Sequence, residues 1–132
     1  MNLSPTSLAQ RGGAVAGVLL PTIFRIFDAW SITGAQQMKL LGLINEKTLY
    51  NWKKHPEKAK LSPDLIERSS YILGIYKALQ ILFPTAENAD RWLTTGNDNP
   101  MFNGQPPLER MLTGYMTDLA AIRFHLDAVR GG

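Results

Sequence analysis

Between Ser62-Pro63 and Pro84 the chain has one long helical stretch with more apolar residues than a single helix face can hold. Ser62 is a good N-cap, and a proline at the first helical position gives up no hydrogen bond that a helix start would make. Pro84 ends the stretch, because the residue before a proline is pushed out of helical backbone geometry. Within it, Leu65, Ser69, Ile72, Tyr76, Leu79 and Phe83 follow spacings of four and three, and Ile66, Leu73, Ile75 and Leu82 add a second apolar side. A helix apolar on more than one side is buried on more than one side. Two coverings meet that demand: a second subunit, or the rest of the chain wrapped round a central core helix.

The flanking sequence is punctuated in the same way. Thr22 to Trp30 has a crowded apolar face of Ile23, Phe24, Ile26, Phe27 and Trp30. Thr33 caps a helix to Leu41 that Gly42 terminates, and Asn45 caps another from Glu46 to Lys54 that His55-Pro56 stops. Beyond Pro84, Thr85 caps a helix to Leu93 closed by Gly96, followed by Leu108 to Thr113 and Tyr115 to Val129. In the last of these, Tyr115, Leu119, Ile122, Leu126 and Val129 form a core-facing stripe opposite Thr117, Asp118, Arg123, His125 and Asp127. No run alternates with period two for long enough to make a strand, so the fold class is all-α.

The beginning of the chain is less regular. Ala14 to Leu20 follows a lone Arg11 like a short signal core, but it lacks a small-x-small cleavage site and Pro21 interrupts it. Extended to Trp30, it meets Arg25 and Asp28 before reaching spanning length. Residues 1–21 are therefore expected to be an N-terminal arm, either flexible or a short packing helix, with no membrane involved.

A length of 132 residues fits one compact domain or a small domain with an appended module. The absence of cysteine excludes disulfides and thiolate metal sites and fits a reducing, cytoplasmic setting. His55 and His125 lie far apart without ligand spacing, so no metal is expected, nor any cofactor. There is no phosphate-cradling glycine loop, no nucleophile elbow and no obvious carboxylate pair, which argues against an enzyme. The charge is uneven: residues 1–60 hold eight Lys/Arg against three Asp/Glu, and residues 61–132 hold six against eight. The basic front is the better candidate for phosphate contacts.

That front half contains a helix, a turn (Gly42-Leu43-Ile44) and a second helix, the layout in which the second helix enters the DNA major groove. Leu49 and Trp52 would pack this helix onto Leu40, Leu41 and Ile44, leaving Lys47, Tyr50, Asn51, Lys53 and Lys54 to face DNA. Lysine neutralises phosphate or reads guanine, and asparagine pairs with adenine in bidentate geometry. Lys58 and Lys60 extend the basic stretch, while Glu46 works against it. Short helix pairs with a glycine turn also occur as plain packing motifs, and the residues alone leave both readings open.

In the other half, Asn99-Pro100-Met101-Phe102-Asn103-Gly104-Gln105-Pro106-Pro107 makes a stiff, shaped connector between helices. Such loops present side chains and often carry function.

Leu40-Leu41-Gly42 together with Thr48-Leu49-Tyr50-Asn51-Trp52 resembles the helix-turn-helix half of the Xre/MbcA/ParS antitoxins. Trp92-Leu93, Asn99-x-x-Phe102-x-Gly104-x-x-Pro107-Leu108 and Gly114 resemble that family's toxin-binding domain, and this second pattern is the more specific. The resemblance runs from Thr22 to the C-terminus. It implies a non-catalytic type II antitoxin whose C-terminal domain covers the active site of a RES-domain toxin acting on NAD. It also implies repression of the operon by the complex, through the helix-turn-helix half. On that basis the chain divides into 1–21, a helix-turn-helix region 22–61, and a dimerisation and toxin-binding domain 62–132. The expected toxin contacts are Arg123, Arg130, Gly131 and Gly132, the tail entering or covering the NAD site. Asn99, Pro100, Phe102, Gly104 and Pro107 are expected to position the helices that carry it. Operator DNA and a homodimer within a larger complex complete the expected partners. Two rivals remain: a DNA-binding regulator without a toxin, and a helical adaptor for some other protein.

Overall fold

Burial sets the first helix more than local propensity does. The structure, a computed structural model, describes residues 5–131. In it, helix α1 runs from Pro5 to Ala29 straight through Pro21. An interior proline removes one backbone bond and costs about 3 kcal/mol. On either side of it, Leu20, Ile23 and Phe27 are fully buried, each contributing roughly 1.5–3 kcal/mol. Their sum exceeds the proline penalty, so the helix continues. From residue 5 onward the expected separate arm is therefore the first two thirds of α1, and Ala16 and Leu20 pack with Ala59, Phe24, Trp52 and Leu61. Residues 1–4 of that arm lie outside the described residues. By length and composition, Gly12–Ala29 could cross a membrane even with Arg25 and Asp28 inside it. Its stripe of Ala16, Leu20, Ile23, Ile26 and Phe27 is covered by the chain itself, while the rest of the stretch, Val15 and Val18 included, is not buried.

The next helices follow their caps. Helix α2 (Gly34–Leu41) opens with a capping box, in which Gln36 N donates to Thr33 Oγ1 at 3.2 Å and Thr33 N donates to Gln36 Oε1 at 2.8 Å. Gly42 closes it in left-handed geometry at φ 70°, where a side chain would be strained. Helix α3 (Glu46–Lys54) begins at Asn45, whose Oδ1 accepts from Lys47 N at 2.8 Å. A 3-10 turn (Pro56–Lys58) leads to α4 (Pro63–Leu82), with Ser62 Oγ accepting from Leu65 N at 3.1 Å. Then come α5 (Ala86–Trp92), α6 (Pro107–Met111) and α7 (Met116–Val129). Every described element is helical, and the fold is all-α.

Helix α4 is the axis of the bundle. It packs against α1 and α2 on one side and against α5 and α7 on the other. Leu65, Ile72, Ile75, Ala78 and Leu79 are buried in a single core reaching from Ile23 to Leu126. The same chain thus covers most of the doubly apolar helix. Ile66 and Ile81 stay exposed and Leu73 is half-buried, so part of the second side has no cover within the chain.

Candidate DNA-reading face and C-terminal interface

The short α3 is pinned to the core by Leu49, which is buried, and by Trp52, which is partly buried against α1 and the chain after the 3-10 turn. Ile44 does not help. It was expected to pack under Leu49, but it is 100% exposed: after the left-handed turn at Gly42 it is Leu43 that packs against the core. Lys47, Tyr50, Asn51 and Lys54 are all exposed, and their spacing of three, four and seven places them on one stripe of α3. The Lys54 ammonium lies 5.8 Å from the centre of the Tyr50 ring. Lys53 falls off the stripe, with its Nζ 5.4 Å over the Phe24 ring of α1, on the flank it shares with Glu46. The five residues expected at DNA thus separate into four on one face and one at its edge.

In the C-terminal half, the proline-containing loop is a built object. Asn97 Oδ1 accepts from Asn99 N at 2.9 Å, and Asn99 Oδ1 accepts from Met101 N at 3.0 Å. The Asn99 carbonyl accepts from Phe102 N at 2.9 Å. Asn103 and Gly104 then turn the chain in left-handed geometry, at φ 51° and 82°. Gly104 N donates to Asn97 O at 3.0 Å and Leu108 N donates to Leu93 O at 2.9 Å, tying the loop back to the end of α5. Phe102, only 4% exposed, inserts between Trp92 (ring centres 5.7 Å apart, edge to face) and His125 of α7 (6.1 Å). Pro100 and Gly104 are exposed at the rim, whereas Pro107 is buried at the start of α6.

Two charge clusters missed in the sequence hold α7 in place. Arg110 Nε donates to Asp118 Oδ1 at 3.0 Å and its Nη1 donates to Met101 O at 3.2 Å, linking α6, α7 and the loop. Thr113 Oγ1 donates to Asp118 Oδ2 at 2.6 Å. The Thr113 hydroxyl first, and Arg110 with it, holds the Asp118 carboxyl below the usual carboxylate range, against a contrary push from partial burial. Because the folded-state pKa is depressed, the stability it contributes is complete above the unfolded value of about 3.9 and is lost as pH falls through the folded one. Asp118→Ala is expected to cost about 1–3 kcal/mol at pH 7, leaving Arg110 without its carboxylate. Urea melts should show that gap from the unsubstituted chain narrowing below pH 4. A gap independent of pH would refute the assignment.

The second cluster concerns Arg123. Its Nε donates to Asp127 Oδ2 at 2.8 Å and its Nη1 to the Ser70 carbonyl at 3.3 Å, so the guanidinium lies across α4. Gly74 makes room for it, since a Cβ there would collide with the guanidinium. That Cβ meets only the far end of a flexible side chain, which can swing aside. Gly74→Ala is accordingly expected to destabilise by no more than about 1 kcal/mol, the lost Arg123 contacts slightly outweighing the gain in helix propensity. In an Arg123→Ala background the same change should instead stabilise, by up to about 1 kcal/mol, through helix propensity. Chemical denaturation of the four variants reads this reversal. Arg130 Nε lies 3.5 Å from Asp127 Oδ1, and Gly131 is exposed at φ 85°. Arg123 and Arg130 thus share one carboxylate, with Arg123 turned inward and Arg130 at the helix end; Gly132 lies outside the described residues. No group of three or more potential metal ligands occurs among the described residues.

A helix-turn-helix with a polar, basic second helix, continuous through one core with a helical unit that displays a shaped loop, defines a helix-turn-helix binding protein with an appended helical module. Residues 9–74 match the model of the antitoxin Xre-like helix-turn-helix domain, and residues 78–132 match that of the antitoxin Xre/MbcA/ParS C-terminal toxin-binding domain. The chain belongs to the Xre/MbcA/ParS antitoxin family. It is also 43% identical over 113 residues to the uncharacterized protein y4oB of Sinorhizobium fredii (strain NBRC 101917 / NGR234), covering 86% of this chain and 84% of the relative. Neither matched domain family is enzymatic. The helix-turn-helix match begins well before Thr22 and takes in most of α1 and more than half of α4.

Proposed function

We propose that this antitoxin neutralises a RES-domain toxin acting on NAD by covering its active site with the C-terminal domain, and that the complex represses its own operon. The observation that carries the reading is the loop from Asn97 to Pro107, locked by Phe102 onto Trp92 and His125 so that it fixes where α7 and its tail emerge. A toxin-binding domain needs such a rigid presenting surface, since ordering a loose segment on binding lowers affinity. The exposed stripe of Lys47, Tyr50, Asn51 and Lys54 supports operator binding, since asparagine pairs with adenine in bidentate geometry and lysine neutralises phosphate. With Glu46 and Tyr50 limiting its positive charge, operator affinity depends on pairing two copies or on the toxin complex. A homodimer is supported by the uncovered apolar strip of Val15, Val18, Ile66 and Leu73 on α1 and α4. The functional division is a DNA-binding region 22–61 and a dimerisation and toxin-binding domain 62–132, in a cytoplasmic, non-catalytic protein. Co-expression with a RES-domain toxin, taken from beside this chain's gene where one is encoded there, tests the reading. Cellular NAD should collapse with the toxin alone and be maintained when this chain is present and co-purifies. Unchanged NAD loss in the presence of the chain would sink the proposal.

A further inference from the structure

Beside the reading stripe, α3 and the 3-10 turn enclose a cleft of about 400 Å³ lined by Thr48, Asn51, Trp52, His55 and Lys58. The lining offers a hydroxyl, a carboxamide, an imidazole and an ammonium; the Glu57 carboxylate is not part of it but lies 3.7 Å from the His55 Nδ1, leaving Lys58 as the cation of the lining. Asn51 belongs to both features, so the cleft opens directly at the edge of the surface that faces DNA. Its far wall is firm. Lys58 N donates to His55 O at 3.0 Å and Ala59 N to Pro56 O at 3.1 Å, while Ala59 is buried against Ala16 and Leu20 of α1. Lys58 is thereby presented from a fixed turn rather than from a loose strand. The cleft also sits opposite the flank where Glu46 and Lys53 lie, away from the one carboxylate at the start of α3.

A singly charged tetrahedral anion with several acceptor oxygens is the ligand such a set of donors recognises. When a recognition helix lies in the major groove, the phosphates of the groove wall run along its flank. We propose that this cleft seats one phosphodiester of the DNA backbone. Lys58 supplies the charge, Thr48 and His55 add hydrogen bonds, and the contact sets the register in which Lys47, Asn51 and Lys54 meet the bases. This assignment rests on the DNA-binding reading and identifies the backbone contact that the reading requires.

The test uses the full chain, with its toxin if the complex is the binding form, and a duplex of its own promoter. Lys58→Gln should lower the slope of log K against log salt by about one and weaken binding roughly tenfold near 0.1 M salt, on operator and scrambled duplex alike. Lys60→Gln, outside the cleft, should change neither by as much. Duplexes carrying a single uncharged methylphosphonate should include one position that weakens the unsubstituted chain and is silent for Lys58→Gln. A Lys58→Gln protein with an unaltered slope and affinity, or with no silent position, overturns the proposal while operator binding itself stands. Competition by millimolar inorganic phosphate that abolishes duplex binding in the unsubstituted chain but not in Lys58→Gln would mark a free-phosphate site and overturn the backbone assignment. Absence of any duplex binding by the unsubstituted protein would overturn the DNA-binding reading and this inference with it.

Discussion

Deleting Arg130, Gly131 and Gly132 is expected to restore activity to the bound toxin while the complex stays assembled. Helix α7 is anchored to α4 through Leu119, Ile122 and Leu126, all buried, so its last turn is a firm platform. From that platform Arg130 N donates to Leu126 O and Gly131 N to Ala128 O, both at 3.1 Å, and the chain then turns off the helix at Gly131. The Asp127 carboxylate holds Arg130 at 3.5 Å, close enough to orient it and too loosely to keep it from a better partner. An arginine set against a toxin carboxylate in a water-poor site is worth about 2–5 kcal/mol when removed, or roughly 30- to several thousand-fold in inhibition. Arg123 lies apart from that tail, across α4 at Gly74 and Ser70. Removing Arg123 should register in stability before it registers in inhibition. Full neutralisation by the truncated protein, measured as NAD consumption by the purified complex, would sink the tail mechanism.

The second large effect is expected at Phe102. Replacing a buried phenylalanine with alanine costs about 3–5 kcal/mol, against a total of about 5–15 kcal/mol for a typical domain. Phe102→Ala removes the wedge between Trp92 and His125 and with it the only aromatic anchor of the loop on both α5 and α7 among the described residues. The core is continuous from Ile23 to Leu126, so the loss should appear as a single lowered melting transition rather than as a local fraying. Toxin binding should fall with it. Pro100→Ala, at the exposed rim of the same loop, should leave both nearly unchanged. A Phe102→Ala protein that melts within about 1 kcal/mol of the unsubstituted chain and still neutralises would show that the loop is shaped by its backbone bonds alone.

Much of this architecture was legible because capping chemistry is local. Thr33, Asn45, Ser62 and Thr85 each announce a helix with the side chain that satisfies its first free amides, and each does so in the structure. Pro21 was misread for the complementary reason. Its local penalty is visible in sequence, while the burial of Leu20, Ile23 and Phe27 that outweighs it is not. The exposed stripe of α3 follows from periodicity and was legible. The outward turn of Ile44 and the diversion of Lys53 to Phe24 depend on where α1 lies, and periodicity carries no such information. The same limit applies to Arg123. Its pairing with Asp127 one turn further on can be read from spacing, but its position across Ser70 and Gly74 cannot.

Helix α4 runs unbroken through residues 75–77, the gap between the two matched domains. A flexible linker would leave the orientation of two modules free, but a helix fixes it by residue count. One residue inserted there would turn everything beyond it by about 100° and advance it by about 1.5 Å. A chimera joining the first half of one relative to the second half of another must therefore conserve the number of residues across the junction. Otherwise the helices on either side of the junction no longer meet in the single core that runs from Ile23 to Leu126.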